Sequence, residues 1–281
     1  MKKSLPLGGL ALQKFLNFTE YLLFPIIHES IPKGVVIEKN ISYGNPKEYE
    51  RCNFIYRKQS VEDKVKQPLM IMIHGGGWMS GLKDLRNYYC YHAAQEGYFV
   101  ANIDYCPAPQ RIFPNQLRQI FKAIDFVLDN AEKYSIDTSK VVIAGESAGG
   151  NFVLAVSTIV KCKELFDKLN IEFSHRDSFD ITAGICNCGA IDIVKLLDSG
   201  FPYIKTMVRC YTGLSIEEIR EKALTEEIQL ISPTAYMNKD FPPTMIIYGQ
   251  HDPLRTESFA LEAQLKQLGV PYKMYKGTGI L

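Results

Sequence analysis

Short apolar runs alternate with amphipathic segments along most of the chain. The apolar runs cover residues 68–73, 98–103, 141–144, 181–185, 244–249 and 270–275. Such runs are typical of strands buried on both faces of a parallel sheet, and residues 116–134 carry apolar residues at helical spacing. A hairpin over 35–56 and a loop over 59–67 are predicted before the first of these runs. The alternation predicts one α/β domain over residues 1–281, with a mostly parallel central sheet and helices on both faces.

The N-terminal segment, about residues 1–33, departs from this alternation. Its apolar residues recur at helical spacing and predict one apolar helix face that must be covered; they are Leu12, Phe15, Leu16, Thr19, Leu22, Leu23 and Ile26. Pro25 and Pro32 would break the helix. Polar residues interrupt the apolar run too early for a membrane span, so attachment to a membrane surface is the weaker alternative to a packed helix.

A second departure covers about residues 192–231. Helical patterns replace the strand and helix alternation here, and they carry Tyr203, Met207 and Tyr211. Two interpretations stay open: the segment packs into the core, or its aromatic and methionine side chains cover a site and exclude water from it.

The Gly-Glu-Ser-Ala-Gly stretch at 145–149 directly follows the apolar run at 141–144 and precedes another apolar segment. This is the pattern of a nucleophile elbow, in which a serine sits on a sharp turn from a strand to a helix. Small residues on both sides permit the turn, and the helix N-terminus favours negative charge beside Ser147. The pattern therefore predicts a nucleophilic serine, with an ordinary glycine-rich turn as the alternative.

The His-Gly-Gly-Gly-Trp stretch at 74–78 follows the apolar run at 68–73 in the same way. Consecutive glycines leave backbone N–H groups uncovered, which an oxyanion hole for acyl transfer requires. His74 is predicted to orient this loop by hydrogen bonding rather than to act as a base.

These motifs resemble the hormone-sensitive-lipase-like branch of the α/β-hydrolases, over roughly residues 40–281. Further matching stretches are Asp104–Tyr105, Phe113–Pro114 and residues 249–254. The resemblance implies an α/β-hydrolase fold with a helical cap formed by about 1–33 and 192–231. It also implies hydrolysis of carboxylic esters through an acyl-enzyme, without a metal or cofactor.

The resemblance assigns roles to individual residues. Ser147 would be the nucleophile, the N–H groups of Gly75, Gly76 and Ala148 would form the oxyanion hole, and Asp252 would be the acid of the triad. The residues that support the two motifs would be His74, Gly145 and Gly149. Asp252 also has a physical basis, because it follows the apolar run at 244–249 and ligand sites in open α/β sheets lie at the C-terminal ends of the strands.

The base of the triad is missing at its expected place. In the related proteins a histidine follows the last strand, whereas Ile280 stands at that position here. No histidine follows Asp252, and His251 is adjacent to the acid, where neighbouring side chains point in different directions. The chain is expected to be impaired, since a serine without a base is a weak nucleophile. Two explanations stay open: a shortened version of an active esterase, which the end after the last strand favours, or a hydrolase-like protein that binds a ligand without turnover.

The composition of the chain narrows the possible classes of function and partner. A hydrophobic content of 46% over 281 residues is sufficient for one large domain. The chain has 32 Lys and Arg against 31 Asp and Glu, which gives no electrostatic case for nucleic acid. Seven cysteines without a C-x-x-C pair favour free thiols and a cytoplasmic location, and a metal at Cys186 and Cys188 lacks matching ligands. The expected partner is a small-molecule ester or, on related scaffolds, an amide.

Overall fold

The computed structural model describes residues 7–23 and 30–278. Within these residues eight strands form a single sheet. The strands are β1 (Val35–Ser42), β2 (Arg51–Arg57), β3 (Gln67–Ile73), β4 (Phe99–Ile103), β5 (Ile136–Glu146), β6 (Ala183–Asn187), β7 (Thr244–Gly249) and β8 (Tyr272–Gly277). Every apolar run singled out in the sequence overlaps one of these strands.

The order across the sheet is β1-β2-β4-β3-β5-β6-β7-β8. β2 pairs antiparallel with β1 and β4, and all the other pairings are parallel. This confirms the predicted early hairpin and the mostly parallel sheet. The order reverses around β3 and β4, so that β3 and β5 lie side by side and the loops that follow them meet at one edge.

Helices connect the strands. They are α1 (Leu7–Leu23), α2 (Lys58–Glu62), α3 (Asn87–Gln95), α4 (Asn115–Asp129), α5 (Ala148–Lys161), α6 (Glu164–Lys168), α7 (Ile193–Leu196), α8 (Ile204–Thr212), α9 (Ile216–Glu221), α10 (Glu226–Gln229) and α11 (Arg255–Leu268). Two predicted boundaries are wrong. The segment 59–67 is not a plain loop, because α2 fills its first half. The helix predicted to reach Tyr134 ends at Asp129, and β5 already begins at Ile136.

The two faces of the sheet are covered unequally. The side chains of α4, α5 and α11 pack on one face, and α3 packs on the other face, mainly against β2 and β4. On the α3 side, residues of β5, β6 and β7 are only half-buried and line a groove with cavities of about 430 and 220 Å³. The prediction of helices on both faces is therefore confirmed, but the second face is covered mainly beside β4.

Two adjacent residues on β5 allow the burial of the two sheet faces to be compared by experiment. Val141 is fully buried on the α5 side, whereas Val142 is half-buried on the α3 side. Val141→Ala is expected to lower the free energy of unfolding by about 2 kcal/mol, and Val142→Ala by less than about 1 kcal/mol, because less apolar surface is lost. Urea denaturation of both variants measures the difference. Equal losses would mean that the α3 side is as well covered as the α5 side.

Helix α1 is present, but its buried face differs from the predicted one. Leu12 and Gln13 are buried, whereas Phe15 and Leu22 are each 54% exposed. The cause is a pair of hydrogen bonds: the Gln13 side-chain amide donates to the backbone carbonyls of Met79 (2.8 Å) and Ala108 (2.9 Å). These bonds fix the rotation of the helix about its own axis. Apolar spacing alone carries no information about such an anchor.

The ends of the N-terminal segment are only partly described. α1 ends at Leu23, and Pro25 and Ile26 lie outside the described residues. Within the part of the chain that the structure describes, no helix is long and apolar enough to cross a membrane. Attachment of α1 to a membrane surface stays a prediction.

Candidate active site

Ser147 is the single residue between the end of β5 and the start of α5. Its backbone has φ 53° and ψ −119°, a conformation that few non-glycine residues adopt, and its N–H donates to the Asn187 carbonyl at the end of β6 (2.8 Å). The two glycines of the motif lie where backbones touch. A Cβ at Gly149 would lie 2.2 Å from the Ile73 carbonyl oxygen, and one at Gly145 would lie 2.6 Å from the Gly149 backbone. The turn therefore has the geometry of a nucleophile elbow.

The carbonyl groups of the glycine-rich loop are held by hydrogen bonds. The Gly75 oxygen accepts from His74 Nδ1 (2.8 Å), and the Gly76 oxygen accepts from the N–H groups of Met79 and Ser80 (3.0 Å each). In a trans peptide the N–H points away from the preceding carbonyl oxygen. The N–H groups of Gly76 and Gly77 are thus directed away from these partners, and neither has an acceptor among the described residues.

The backbone N–H of Gly75 differs from those of Gly76 and Gly77 because it has an acceptor. Its N–H donates to Glu146 Oε1 (2.7 Å), and the same oxygen accepts from Arg86 Nε (2.9 Å). This is at odds with the predicted role of Gly75 in an oxyanion hole, because its N–H already has a protein acceptor. The free N–H groups in this loop belong instead to Gly76 and Gly77, and no feature of three consecutive glycines in the sequence distinguishes them.

Ala148 supplies a further backbone N–H group without an acceptor among the described residues, on the elbow itself. It is the first residue of α5, where backbone N–H groups have no partner within the helix. No other described residue accepts its N–H. Because β3 and β5 are neighbours in the sheet, the end of β3 brings the glycine loop beside this helix N-terminus. The three donors therefore lie at one edge of the sheet, next to Ser147.

His74 is buried beneath the loop. Its ring stacks on Tyr105 with centroids 4.3 Å apart, and Nδ1 donates to the Gly75 carbonyl. Burial lowers the pKa of His74 and keeps the ring neutral, although the Asp104 carboxylate nearby opposes that shift. The contacts are those of a histidine that orients the loop.

Asp252 lies in the loop after β7 and is 6% exposed. Its Oδ1 accepts from the N–H of Leu254 (2.6 Å), and its carboxylate contacts the thiol of Cys188. Burial, together with the hydrogen bond to Asp252, raises the pKa of Cys188 to about 12, so the thiol stays protonated and can donate. Cys188, which directly follows β6, thus helps to hold the Asp252 carboxylate in place.

β6 separates the strand of Ser147 from that of Asp252. Two strand spacings amount to about 10 Å, too far for direct contact between the two side chains. A bridging group that takes a proton from Ser147 and donates one to Asp252 would have to be about the size of an imidazole ring.

The described histidines do not fill this gap. His251 is exposed whereas Asp252 beside it is buried, as expected for adjacent residues, and no hydrogen bond joins them. His175 pairs with Asp125 (2.9 Å), and His92 lies on α3 against Tyr88. Ile280, the residue at the position expected for the histidine, lies outside the described residues, as does His28.

The segment 192–231 covers the glycine loop. The ring of Tyr211 on α8 stacks on Trp78 with centroids 4.8 Å apart, and a Cβ at Gly77 would meet the sulfur of Met207 at 2.7 Å. Both side chains are buried, whereas Tyr203 is 63% exposed and takes no part in this contact. These contacts show packing of Met207 and Tyr211 against the loop, and the interpretation of the segment as a cap that excludes water from a site stays a prediction.

No group of three or more His, Cys, Asp or Glu side chains in the described ranges is arranged to hold a metal ion. The seven cysteines are free thiols.

Comparison with known proteins places the chain in a family. The family described as BD-FAE matches residues 55–265. A versiconal hemiacetal acetate esterase of Dothistroma septosporum is 29% identical over 212 residues, which are 73% of this chain and 63% of that protein. An arylesterase of Saccharolobus solfataricus is 26% identical over 281 residues, covering 94% of this chain and 85% of that protein.

Solved structures share the fold. Esterase B from Lactobacillus rhamnosis has a TM-score of 0.80 at 21% identity and covers 96% of this chain and 83% of its own. The chain spans 63% of the length of the first curated relatives that it matches. The motif-based resemblance is confirmed at the level of family and fold. The chain belongs to the BD-FAE family of esterase-like α/β-hydrolases.

Proposed function

We propose that this chain carries the catalytic scaffold of a serine carboxylic ester hydrolase that works through an acyl-enzyme, without a metal or cofactor. The observation that carries the proposal is the position of Ser147 on a strained elbow, beside three N–H groups that have no acceptor among the described residues. These belong to Gly76, Gly77 and Ala148. The esterases among the relatives support the same reaction class.

The chemistry follows from this geometry. Ser147 Oγ attacks the ester carbonyl while a base takes its proton, and the three N–H groups stabilise the negative oxygen of the tetrahedral intermediate. The intermediate collapses, the carbonyl–oxygen bond to the alcohol breaks, and the alcohol leaves with the proton. Water then attacks the acyl-serine in the same way and releases the acid. Asp252 orients and stabilises the protonated base.

The base comes from outside the described residues in this proposal. An imidazole ring matches the gap of about 10 Å between the strands of Ser147 and Asp252. Free imidazole can therefore stand in for the missing side chain. Met207 and Tyr211 above the loop favour an ester with a short to medium apolar acyl chain.

The test is hydrolysis of p-nitrophenyl butyrate by the purified chain, with and without imidazole. We expect slow turnover alone and an increase with imidazole that Ser147→Ala abolishes, after subtraction of the imidazole background. Ser139→Ala is the matched control, because Ser139 is an exposed serine near the opposite end of β5. It should leave the rate unchanged.

Two other outcomes are informative. Fast turnover without imidazole that depends on Ser147 would show that the chain already has a base. An absence of Ser147-dependent turnover under both conditions would contradict the proposal and favour a protein that binds a ligand without hydrolysing it. Comparison of butyrate esters with butyramides separates ester from amide preference.

A further inference from the structure

Helix α1 holds the glycine-rich loop from outside the sheet. Glu20 accepts the N–H of Gly81 at Oε2 (2.9 Å) and the hydroxyl of Ser80 at Oε1 (3.2 Å). About two turns earlier on the same helix, Gln13 donates to the Met79 carbonyl. The segment 79–81 is therefore bonded to α1 at three consecutive residues.

The same segment orients the peptide that supplies one of the oxyanion donors. The N–H of Ser80 donates to the Gly76 carbonyl oxygen (3.0 Å), and the single hydroxyl proton of Ser80 is within reach of both this oxygen (3.0 Å) and the Glu20 carboxylate. That carbonyl and the N–H of Gly77 belong to one trans peptide and point in opposite directions. A chain of contacts thus runs from Glu20 through Ser80 and Gly76 to the N–H of Gly77.

The loop has little means of holding this conformation by itself. Gly76, Gly77 and Gly81 all have positive φ, at 109°, 58° and 110°. Glycines have access to more backbone conformations than other residues, so a loop rich in them depends on external contacts for a single geometry. Stabilisation of an oxyanion in turn depends on donors that are already in place before the reaction.

We propose that Glu20 is a positioning residue for the oxyanion hole, and that it acts through Ser80 and Gly81 on the orientation of the Gly77 N–H. This inference rests on the proposed function, because it assigns Glu20 to that reaction. It gives α1 a task beyond coverage of the site: displacement of the helix would release the loop.

The electrostatics of Glu20 favour a functional role over a stabilising one. Burial raises the pKa of Glu20, and the nearby Glu146 carboxylate acts in the same direction, while the Arg86 guanidinium opposes the shift. An acid whose pKa is raised by folding makes the fold less stable when it ionises, as pH rises from the ordinary glutamate value through the folded-state value. Ionisation of Glu20 therefore lowers the stability of the fold over this pH range.

The first experiment measures backbone hydrogen exchange and needs no turnover. In Glu20→Ala, we expect the amides of Met79 and Ser80 to exchange at least about tenfold faster, together with that of Gly81, because opening of the turn costs less free energy. Asn17→Ala is the matched control, as Asn17 is exposed on the same helix. Faster exchange at Gly81 alone would overturn the proposal, since the Gly76 carbonyl would then be held without Glu20.

The second experiment measures affinity for butylboronic acid, which forms a tetrahedral adduct with a serine hydroxyl. We expect Glu20→Ala to weaken binding about 10- to 100-fold and Glu20→Gln to restore part of the loss, with unchanged affinity for the product butyrate. Asn17→Ala should bind like the unmodified chain. Equal losses for the boronic acid and butyrate would contradict positioning of a donor specific for the tetrahedral state.

Stability separates positioning from a merely structural role. Glu20→Gln cannot ionise at this position, so the denaturation midpoint of the unmodified chain should fall relative to that of Glu20→Gln as pH rises from the ordinary glutamate value. A structural role predicts that stability and boronate affinity fall together at pH 7. If the unmodified chain binds the boronic acid no more tightly than Ser147→Ala does, the proposed function fails, while hydrogen exchange still decides whether Glu20 holds the loop.

Discussion

Gly149→Ala is expected to destabilise the protein by about 3 kcal/mol or more, which is among the largest effects of a single added methyl group. The new Cβ would lie 2.2 Å from the carbonyl oxygen of Ile73 and 2.8 Å from that of His74. Both atoms belong to the backbone at the end of β3, so no side chain can rotate away. The first turn of α5 and the end of β3 would have to separate.

Gly8→Ala is the matched control for this substitution. Gly8 also lies in the first turn of a helix, is exposed, and has nothing within 4 Å of an added Cβ. Its replacement should be neutral or stabilise α1 by up to about 1 kcal/mol, because alanine has the higher helix propensity. Denaturation by urea, followed by circular dichroism, measures both variants. A loss for Gly149→Ala as small as that for Gly8→Ala would show that the elbow and β3 are not in close contact.

The same contact explains why the elbow could be predicted from the sequence. A strand followed by a turn with glycine on both sides of a serine is a local pattern, and the glycines at 145 and 149 mark backbone approaches that exclude a Cβ. The position of Asp252 was also predictable, because the end of a buried strand in a parallel sheet lies at the site edge.

The proposed oxyanion donors were only partly predictable from the sequence. Gly75 and Gly77 are equivalent in the sequence, and their difference arises from the Glu146 carboxylate, which reaches Gly75 only after β3 and β5 have paired. The rotation of α1 depends in the same way on carbonyl groups distant in the chain, which Gln13 contacts. Hydrogen bonds between elements far apart in sequence leave no periodic signal.

The uneven cover of the sheet shows another limit of hydrophobic patterns. The runs at 141–144, 181–185 and 244–249 are apolar on both sides, as strands buried on both faces are. In the described residues, their α5 side is buried, whereas Val142, Ile185 and Ile247 on the α3 side are half-buried. An apolar run indicates that both faces of a strand can be buried, but it does not identify the element that covers each face.

Glu146→Ala is expected to lower the free energy of unfolding by about 2–4 kcal/mol, because it leaves a charge and an N–H group without their partner. Glu146 accepts from Arg86 and from Gly75, and the Arg86 side chain is only 14% exposed. Burial lowers the pKa of Arg86, but the nearby acidic groups, with Glu146 first among them and Glu20 next, together outweigh this and raise it. The Glu146 side chain is 25% exposed, so the loss falls below that of a fully buried pair.

A double-mutant cycle with Arg86→Met isolates the coupling between the two residues. We expect a coupling of at least about 1 kcal/mol, because Arg86→Met removes the charge that Glu146→Ala leaves unpaired. The control cycle uses Asp198 and Arg220, which pair at 2.7 Å with side chains 71% and 51% exposed. Their coupling should stay below about 0.5 kcal/mol, since exposed pairs contribute little.

Glu146→Gln separates the hydrogen bond from the charge. The amide oxygen can still accept the N–H of Gly75, so the loop should keep its geometry while the attraction to Arg86 weakens. We therefore expect Glu146→Gln to lose stability without the faster exchange of the loop amides that Glu146→Ala should show. If both variants loosen the loop equally, the charge of Glu146 rather than its bond to Gly75 fixes the glycine loop beside Ser147.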